Sequence, residues 1–159
     1  MWRTGWKGDM ARIYVADDDP DITKIVKYAL TDHGHDVTAF TDGAAARTAA
    51  MATPPDLLIL DVMMPELDGF QVLDMLRNSR ARASIRILVL TARASEIDWS
   101  RAYKLGADGF MTKPFDPDEL AATVEELLAM PEAELKERKE RERDKAHLLS
   151  QFERILGDY

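Results

Sequence analysis

Residues 12–20 read RIYVADDDP: an apolar run that ends in three aspartates and a proline. Like charges side by side repel, and a carboxylate buried without a partner is costly. Asp17, Asp18 and Asp19 therefore need a reason to stand where a buried strand ends. The run before them is one of five, at Arg12–Ala16, Val37–Phe40, Leu57–Leu60, Ile85–Leu90 and Phe110–Met111. Three of them, IYVA, LLIL and ILVL, are continuous rather than alternating. That is the pattern of strands covered on both faces, as in a parallel sheet.

Helical patterns fill the gaps. Ile22, Ile25, Val26, Ala29 and Leu30 recur on one face of a helix, as do Leu120, Val124, Leu127 and Leu128. Asp19-Pro20 and Asp116-Pro117 each place a cap acid before a proline at the first helical position. Asp116 and Glu119 have capping-box spacing, and Ser95 opens a further helix with Asp98 three residues on. Strand and helix thus alternate five times. The expected fold is α/β, a five-stranded, doubly wound parallel sheet with helices on both faces.

The bulk numbers set limits. A chain of 159 residues allows one ordinary domain and a modest remainder. It has no cysteine, which excludes disulfide frameworks and thiolate metal sites and fits a cytoplasmic protein. No apolar run is long enough to span a bilayer, and MWRTGWKGDM lacks the apolar core of a signal peptide. The formal charge of −8 speaks against direct nucleic-acid binding. That charge is uneven. Residues 131–159 hold eight acids and seven bases, so nearly all the negative excess lies in the first 130 residues.

In doubly wound sheets the ligand site lies beyond the C-terminal ends of the strands. The first strand is followed by Asp17, Asp18 and Asp19, the third by Asp61 and Val62-Met63-Met64-Pro65. The fourth is followed by Thr91, the fifth by Lys113 and Pro114-Phe115. Several carboxylates in one pocket stay ionised only beside a cation. Oxygen donors without imidazole or thiolate suit Mg²⁺, with Mn²⁺ as the alternative. An ammonium and a hydroxyl opposite the metal suit phosphoryl oxygens, and an aspartate can itself be the nucleophile. Taken singly, each acid could be a solvated loop residue or a helix cap; Asp19 is read as the cap of the helix opened by Pro20.

Asp17-Asp18, Asp61 in LLILDVMMPELDGF, Thr91 in VLVLTAR and Lys113 in ADGFMTKPF together resemble the receiver domain of two-component response regulators. The likeness covers residues 11–130, leaving residues 1–10 as a tail and 131–159 as a charged helical extension. It implies a flavodoxin-like sheet of order 2-1-3-4-5 followed by a long charged helix. It implies Asp61 as phosphoacceptor, with Lys113 and Thr91 contacting the phosphoryl group. Asp18, Asp61 and the main-chain carbonyl of Met63 would hold Mg²⁺ directly, and Asp17 mostly through water. The Lys113–Pro114 bond is expected to be cis. Thr91 and Phe110 would form the switch pair; Phe110 lacks the hydroxyl of the tyrosine often found there and must signal by packing. Met63 and Arg93 fall where the family tunes phosphoryl lifetime, and their bulk implies slow self-dephosphorylation.

The implied partner is a sensor histidine kinase or phosphotransfer protein, and the implied role is a switch rather than an enzyme. A hydrolytic phosphatase of similar fold would want a second aspartate at position 63, where this chain has methionine. A phosphorylation-independent scaffold is the third reading. The three histidines, His33, His35 and His147, are expected at the surface. Trp99 is read either as core or as an exposed anchor for a partner, with the anchor preferred.

The tail beginning PEAELKERKERERDK pairs Glu132–Lys136, Glu134–Arg138 and Glu137–Arg141 at i,i+4 with the acid first. Leu149, Phe152, Leu156 and Tyr159 continue as a seam, flanked by Leu148 and Ile155. The expectations are a homodimeric coiled coil, a linker to an output module such as a nucleotide cyclase, or a lone charged helix. The charged stretch between Leu135 and Leu149 interrupts the seam. A dimer through the fourth helix and fifth strand is disfavoured, because ADGF replaces the ADDY of winged-helix regulators.

Overall fold

The computed structural model describes residues 10–80, 82 and 84–157. The N-terminal tail at residues 1–9 and Tyr159 of the tail seam lie outside them. Five strands and six helices follow in order: β1 Arg12–Ala16, α1 Pro20–Asp32, β2 Asp36–Phe40, α2 Gly43–Ala52, β3 Leu57–Leu60, α3 Gly69–Arg77, β4 Arg86–Thr91, α4 Glu96–Lys104, β5 Gly109–Thr112, α5 Pro117–Ala129 and α6 Glu132–Gly157. All neighbouring strands pair in parallel, in the order β2-β1-β3-β4-β5. β4 and β5 each extend one residue beyond the apolar run that marks them, because Thr91 and Thr112 pair in register.

The continuous apolar runs are buried on both faces, as a parallel sheet requires. Ile13, Val15, Leu57, Ile59, Leu88 and Leu90 face one layer, where Val26 and Leu30 of α1 and Leu120, Val124, Leu127 and Leu128 of α5 meet them. The alternate residues Tyr14, Leu58, Leu60, Ile87 and Val89 face Ala46 of α2, Phe70, Leu73 and Leu76 of α3 and Ala102 of α4. The face of α1 is rotated from the expected one: Thr23, Val26, Ala29 and Leu30 are buried and Ile25 is exposed.

The caps follow local chemistry. Asp19 is extended and accepts from the Asp21 N–H at 2.9 Å, with Pro20 in the first turn, so the third aspartate of RIYVADDDP is a cap. Ser95 accepts from the Asp98 N–H at 3.1 Å. At α5 the Asp116 carboxylate accepts from Asp118 rather than closing the box with Glu119. A reciprocal box forms instead at α3, between Asp68 and Gln71.

The C-terminal helix is not a lone rod. Leu135 enters the α1/α5 side of the core, and α6 then runs along α4. Ala146 is buried there, the Lys104 ammonium donates to Ser150 at 3.0 Å, and Lys145 lies 5.7 Å over the Trp99 ring. Trp99 stacks edge-on against Tyr103 and is half-buried. It anchors the chain's own tail. Leu148, Phe152, Ile155 and Leu156 remain exposed along the last turns.

His35 departs from expectation. It is buried; its Nδ1 accepts from the Ala11 N–H at 3.1 Å and its Nε2 pairs with Glu125 of α5. His35 thus ties the backbone before β1 to a side chain of α5, a role that no local pattern announces.

Candidate functional site

Parallel pairing brings the strand ends together. The Asp17 N–H donates to the Phe40 carbonyl at 3.1 Å, and the Asp61 N–H to the Ala16 carbonyl at 3.0 Å. Asp17 and Asp61 are thus the first residues past adjacent strands, still tied to the ladder. The Lys113 N–H donates to the Thr91 carbonyl at 2.9 Å, which carries the lysine over the same edge. Its bond to Pro114 is cis. Asp17, Asp61 and Thr91 are buried, while Asp18 is exposed at the mouth.

The Lys113 ammonium binds both buried acids, Asp17 and, at 3.0 Å, Asp61. Burial pushes the Lys113 ammonium down, but its hydrogen bonds to Asp17 and Asp61 outweigh that and hold it above its usual range. Burial likewise raises the Asp17 carboxyl, against the hydrogen bonds from Lys113 and the Asp19 N–H, and the Asp61 charge adds to the rise. One ammonium is too little positive charge for this acid set.

Oxygens of Asp17, Asp18 and Asp61 lie within 4.8 Å of one another, and the donor set is all hard oxygen. Both features fit a divalent cation such as Mg²⁺. Above the cluster, a cavity of about 360 Å³ is lined by Asp18, Val62, Met63, Met64, Pro65, Asp68 and Arg93. The Met63 side chain stands in it half-exposed. Its N–H donates to the Asp61 carboxylate at 3.3 Å. The Thr91 hydroxyl accepts from the Arg93 N–H at 3.1 Å, and the Arg93 guanidinium pairs with Asp98 of α4 at 2.9 Å. Phe110 is half-buried against the α2/α3/α4 layer, in register with Val89.

Asp17, Asp18, Asp61, Thr91 and Lys113 therefore meet at one end of the sheet, Met63 and Arg93 line the cavity beside Asp18, and Phe110 sits further back in β5. Two supports were not anticipated. Gly69 presses so close that a Cβ there would lie 2.2 Å from the Asp61 carbonyl oxygen, and its N–H donates to Val62 at 2.9 Å. Glu66, in the intervening loop, holds a positive φ of 67°, a strained state for a side-chain-bearing residue. The ELDGF stretch after Asp61 was the available signal; it places a glycine at a helix start where only close backbone approach requires one.

Carboxylates grouped for a cation, with a lysine and a hydroxyl at the same strand ends, make the donor set expected of a receiver domain. Residues 13–125 match the model of the response regulator receiver domain, and the chain belongs to that family. It is 41% identical over 119 residues to the DNA-binding dual master transcriptional regulator RpaA of Synechocystis sp., covering 75% of this chain and 49% of that protein. It is also 41% identical over 130 residues to the alkaline phosphatase synthesis transcriptional regulatory protein PhoP of Bacillus subtilis, covering 79% and 53%. The chain spans about half the length of these curated relatives. A putative response regulator from Chloroflexus aurantiacus superposes with a TM-score of 0.73 at 28% identity, covering 77% of this chain and all of that one. The receiver domains of response regulators carry no chemistry beyond that at their own aspartate. Receiver domains bind Mg²⁺ at an acidic cluster of the kind formed by Asp17, Asp18 and Asp61. Among the described residues, no helix is long and apolar enough to cross a membrane.

Proposed function

We propose that this chain is a receiver that takes a phosphoryl group from a histidine kinase or phosphotransfer protein onto Asp61 and converts it into a change of protein contacts. The observation that carries this reading is the single lysine shared between Asp17 and Asp61 beside a third carboxylate. An Asp61 oxygen attacks phosphorus, the bond to the donor's histidine nitrogen breaks, and the histidine leaves with the electron pair. Lys113 then exchanges its Asp61 contact for a phosphoryl oxygen, and the Thr91 hydroxyl turns from Arg93 to donate to another. Asp18, Asp61 and the Met63 carbonyl would hold Mg²⁺ directly, with Asp17 acting mostly through water. The ion, when bound, would supply positive charge against that of the transferring group.

The contact between Arg93 and Asp98 links Thr91's loop to α4, and α4 carries α6. That chain of contacts supports α6 as the output element. Its exposed apolar turns, Leu148 to Leu156, suit a homodimeric helix pair, for which the lone-helix and full coiled-coil readings are less apt. The names of the relatives favour a transcriptional output module over a nucleotide cyclase. The acidity of this chain supports its acting on protein rather than directly on nucleic acid.

Treatment with a small phosphodonor in Mg²⁺ should add one phosphoryl mass to the intact protein, and Asp61→Asn should abolish it. Uptake that survives Asp61→Asn sinks the assignment. Partner contacts unchanged by phosphorylation and by Asp61→Asn would instead establish a scaffold. Met63 and Arg93 line the approach to Asp61, so the phosphorylated form should persist for minutes or longer. Loss within seconds would overturn that tuning role.

A further inference from the structure

The end of the sheet opposite Asp61 holds a cluster of the other sign. Arg86 opens β4 and is only 5% exposed. One guanidinium nitrogen donates to the Met130 carbonyl at 2.6 Å; its Nε has no partner among the described residues. No carboxylate lies within ion-pair distance of it among those residues. Asp108, whose charge acts on Arg86, is already engaged. It pairs with Arg77 at 2.7 Å and Lys139 at 3.1 Å, and accepts from the Ile87 N–H at 2.7 Å. A buried guanidinium without a matched anion is an expensive arrangement.

Beside Arg86 lies a cavity of about 460 Å³ between the receiver and the root of α6. Arg80, Arg86, Lys136, Lys139 and Arg143 line it, against three carboxylates: Asp108, Glu132 and Glu140. With Asp108 taken up by Arg77 and Lys139, the cavity keeps a positive excess inside a chain of net charge −8. Its volume is in the range of small-ligand sites, roughly 300–1,000 Å³. Burial pushes the Arg86 guanidinium below its ordinary range, with Asp108 and Glu132 opposing, so an added anion has a charge to stabilise.

We propose that this cavity binds a small, multiply charged phosphate compound, an oligophosphate or a nucleotide carrying one. Two arginines offer forked donors for phosphate oxygens, and lysines add charge without fixed geometry. The ligand would touch Arg80 and Arg86 of the receiver and Lys136, Lys139 and Arg143 of α6. It would therefore fasten the helix whose far end carries the exposed apolar turns. This site is independent of the phosphoryl chemistry at Asp61.

The test is calorimetric titration of the full chain with tripolyphosphate in Mg²⁺-free buffer, with amide exchange of α6 followed in parallel. Saturable one-to-one binding below about 1 mM is expected, with slowed exchange over residues 132–146. The exposed-site double variant K136E/R143E, which spares the core, should weaken binding at least tenfold, and Arg86→Met should do so as well. ATP binding tighter than tripolyphosphate identifies a nucleotide source; equal or weaker binding identifies the oligophosphate. No saturable binding, or binding untouched by K136E/R143E, overturns the proposal. So does binding that Lys113→Met removes and K136E/R143E does not, since the anion would then sit at Asp61.

Discussion

The two ends of the parallel sheet solve opposite charge problems. At the C-terminal end, three carboxylates share one lysine, and Asp18 opens the cluster to solvent. At the N-terminal end, Asp108 is enclosed by Arg77 and Lys139, with Arg86 behind. The first set is short of positive charge and stands at an opening, so it can take up a cation. The second carries a positive excess around Asp108 and is roofed by the root of α6, so it seats that helix and leaves cationic charge facing the cavity. A negative excess at one end suits a cation, and a positive excess under α6 makes a joint that an anion would tighten.

That contrast can be broken from the joint side first. Asp108→Asn removes the one carboxylate that Arg77 and Lys139 share and leaves two cations facing Arg86. Breaking a buried pair costs about 3 kcal/mol or more, and Mg²⁺ should return none of it. Chemical denaturation with and without Mg²⁺ checks both parts. A variant as stable as the parent would mean that the enclosure of Asp108 contributes little.

Lys113→Met makes the matching break at the mouth. In metal-free buffer it leaves Asp17 and Asp61 facing each other without their shared ammonium, a loss of about 2 kcal/mol. Here added Mg²⁺ should recover most of the loss, because the same oxygens are free to ligate it. Phosphoryl uptake should stay impaired, since stability and chemistry need the lysine for different reasons. If Mg²⁺ rescues neither variant or both equally, the two ends do not differ as described.

The mouth was legible from sequence because Asp17, Asp61 and Thr91 are each the first residue after an apolar run, and Asp18 and Lys113 the second. Asp17, Asp61, Thr91 and Lys113 need only the parallel order to meet, and continuous burial of IYVA, LLIL and ILVL specifies that order. The joint was not legible. Arg77, Arg86 and Asp108 sit at the starts of strands or ends of helices, where charged residues are ordinarily solvated. Only the return of α6 encloses them, and the stretch of α6 between Leu135 and Leu149 reads as charged on every face. Ala146, the residue most buried against α4, carries no hydrophobic signal amid its charged neighbours. His35 was misread for the same reason: its partners Ala11 and Glu125 come from distant segments.

The smallest expected effect is on pH dependence, and it sharpens the contrast by sign. The Asp17 carboxyl is raised in the fold above its ordinary 3.8. Between the unfolded and folded values, the folded chain holds a proton that the unfolded chain has lost. Stability contributed there is present at low pH and falls as pH rises through that window. Mg²⁺ needs the ionised carboxylate, so its stabilisation should grow as pH rises through the same window. Asp17→Asn should flatten that growth. Arg86, by contrast, is lowered by burial yet stays charged across the acid range, so changes at the joint should leave the slope unaltered. Melting temperatures across the acid range, with and without Mg²⁺, measure the slope. A parent slope that Asp17→Asn leaves intact would assign the proton to another member of the acidic cluster.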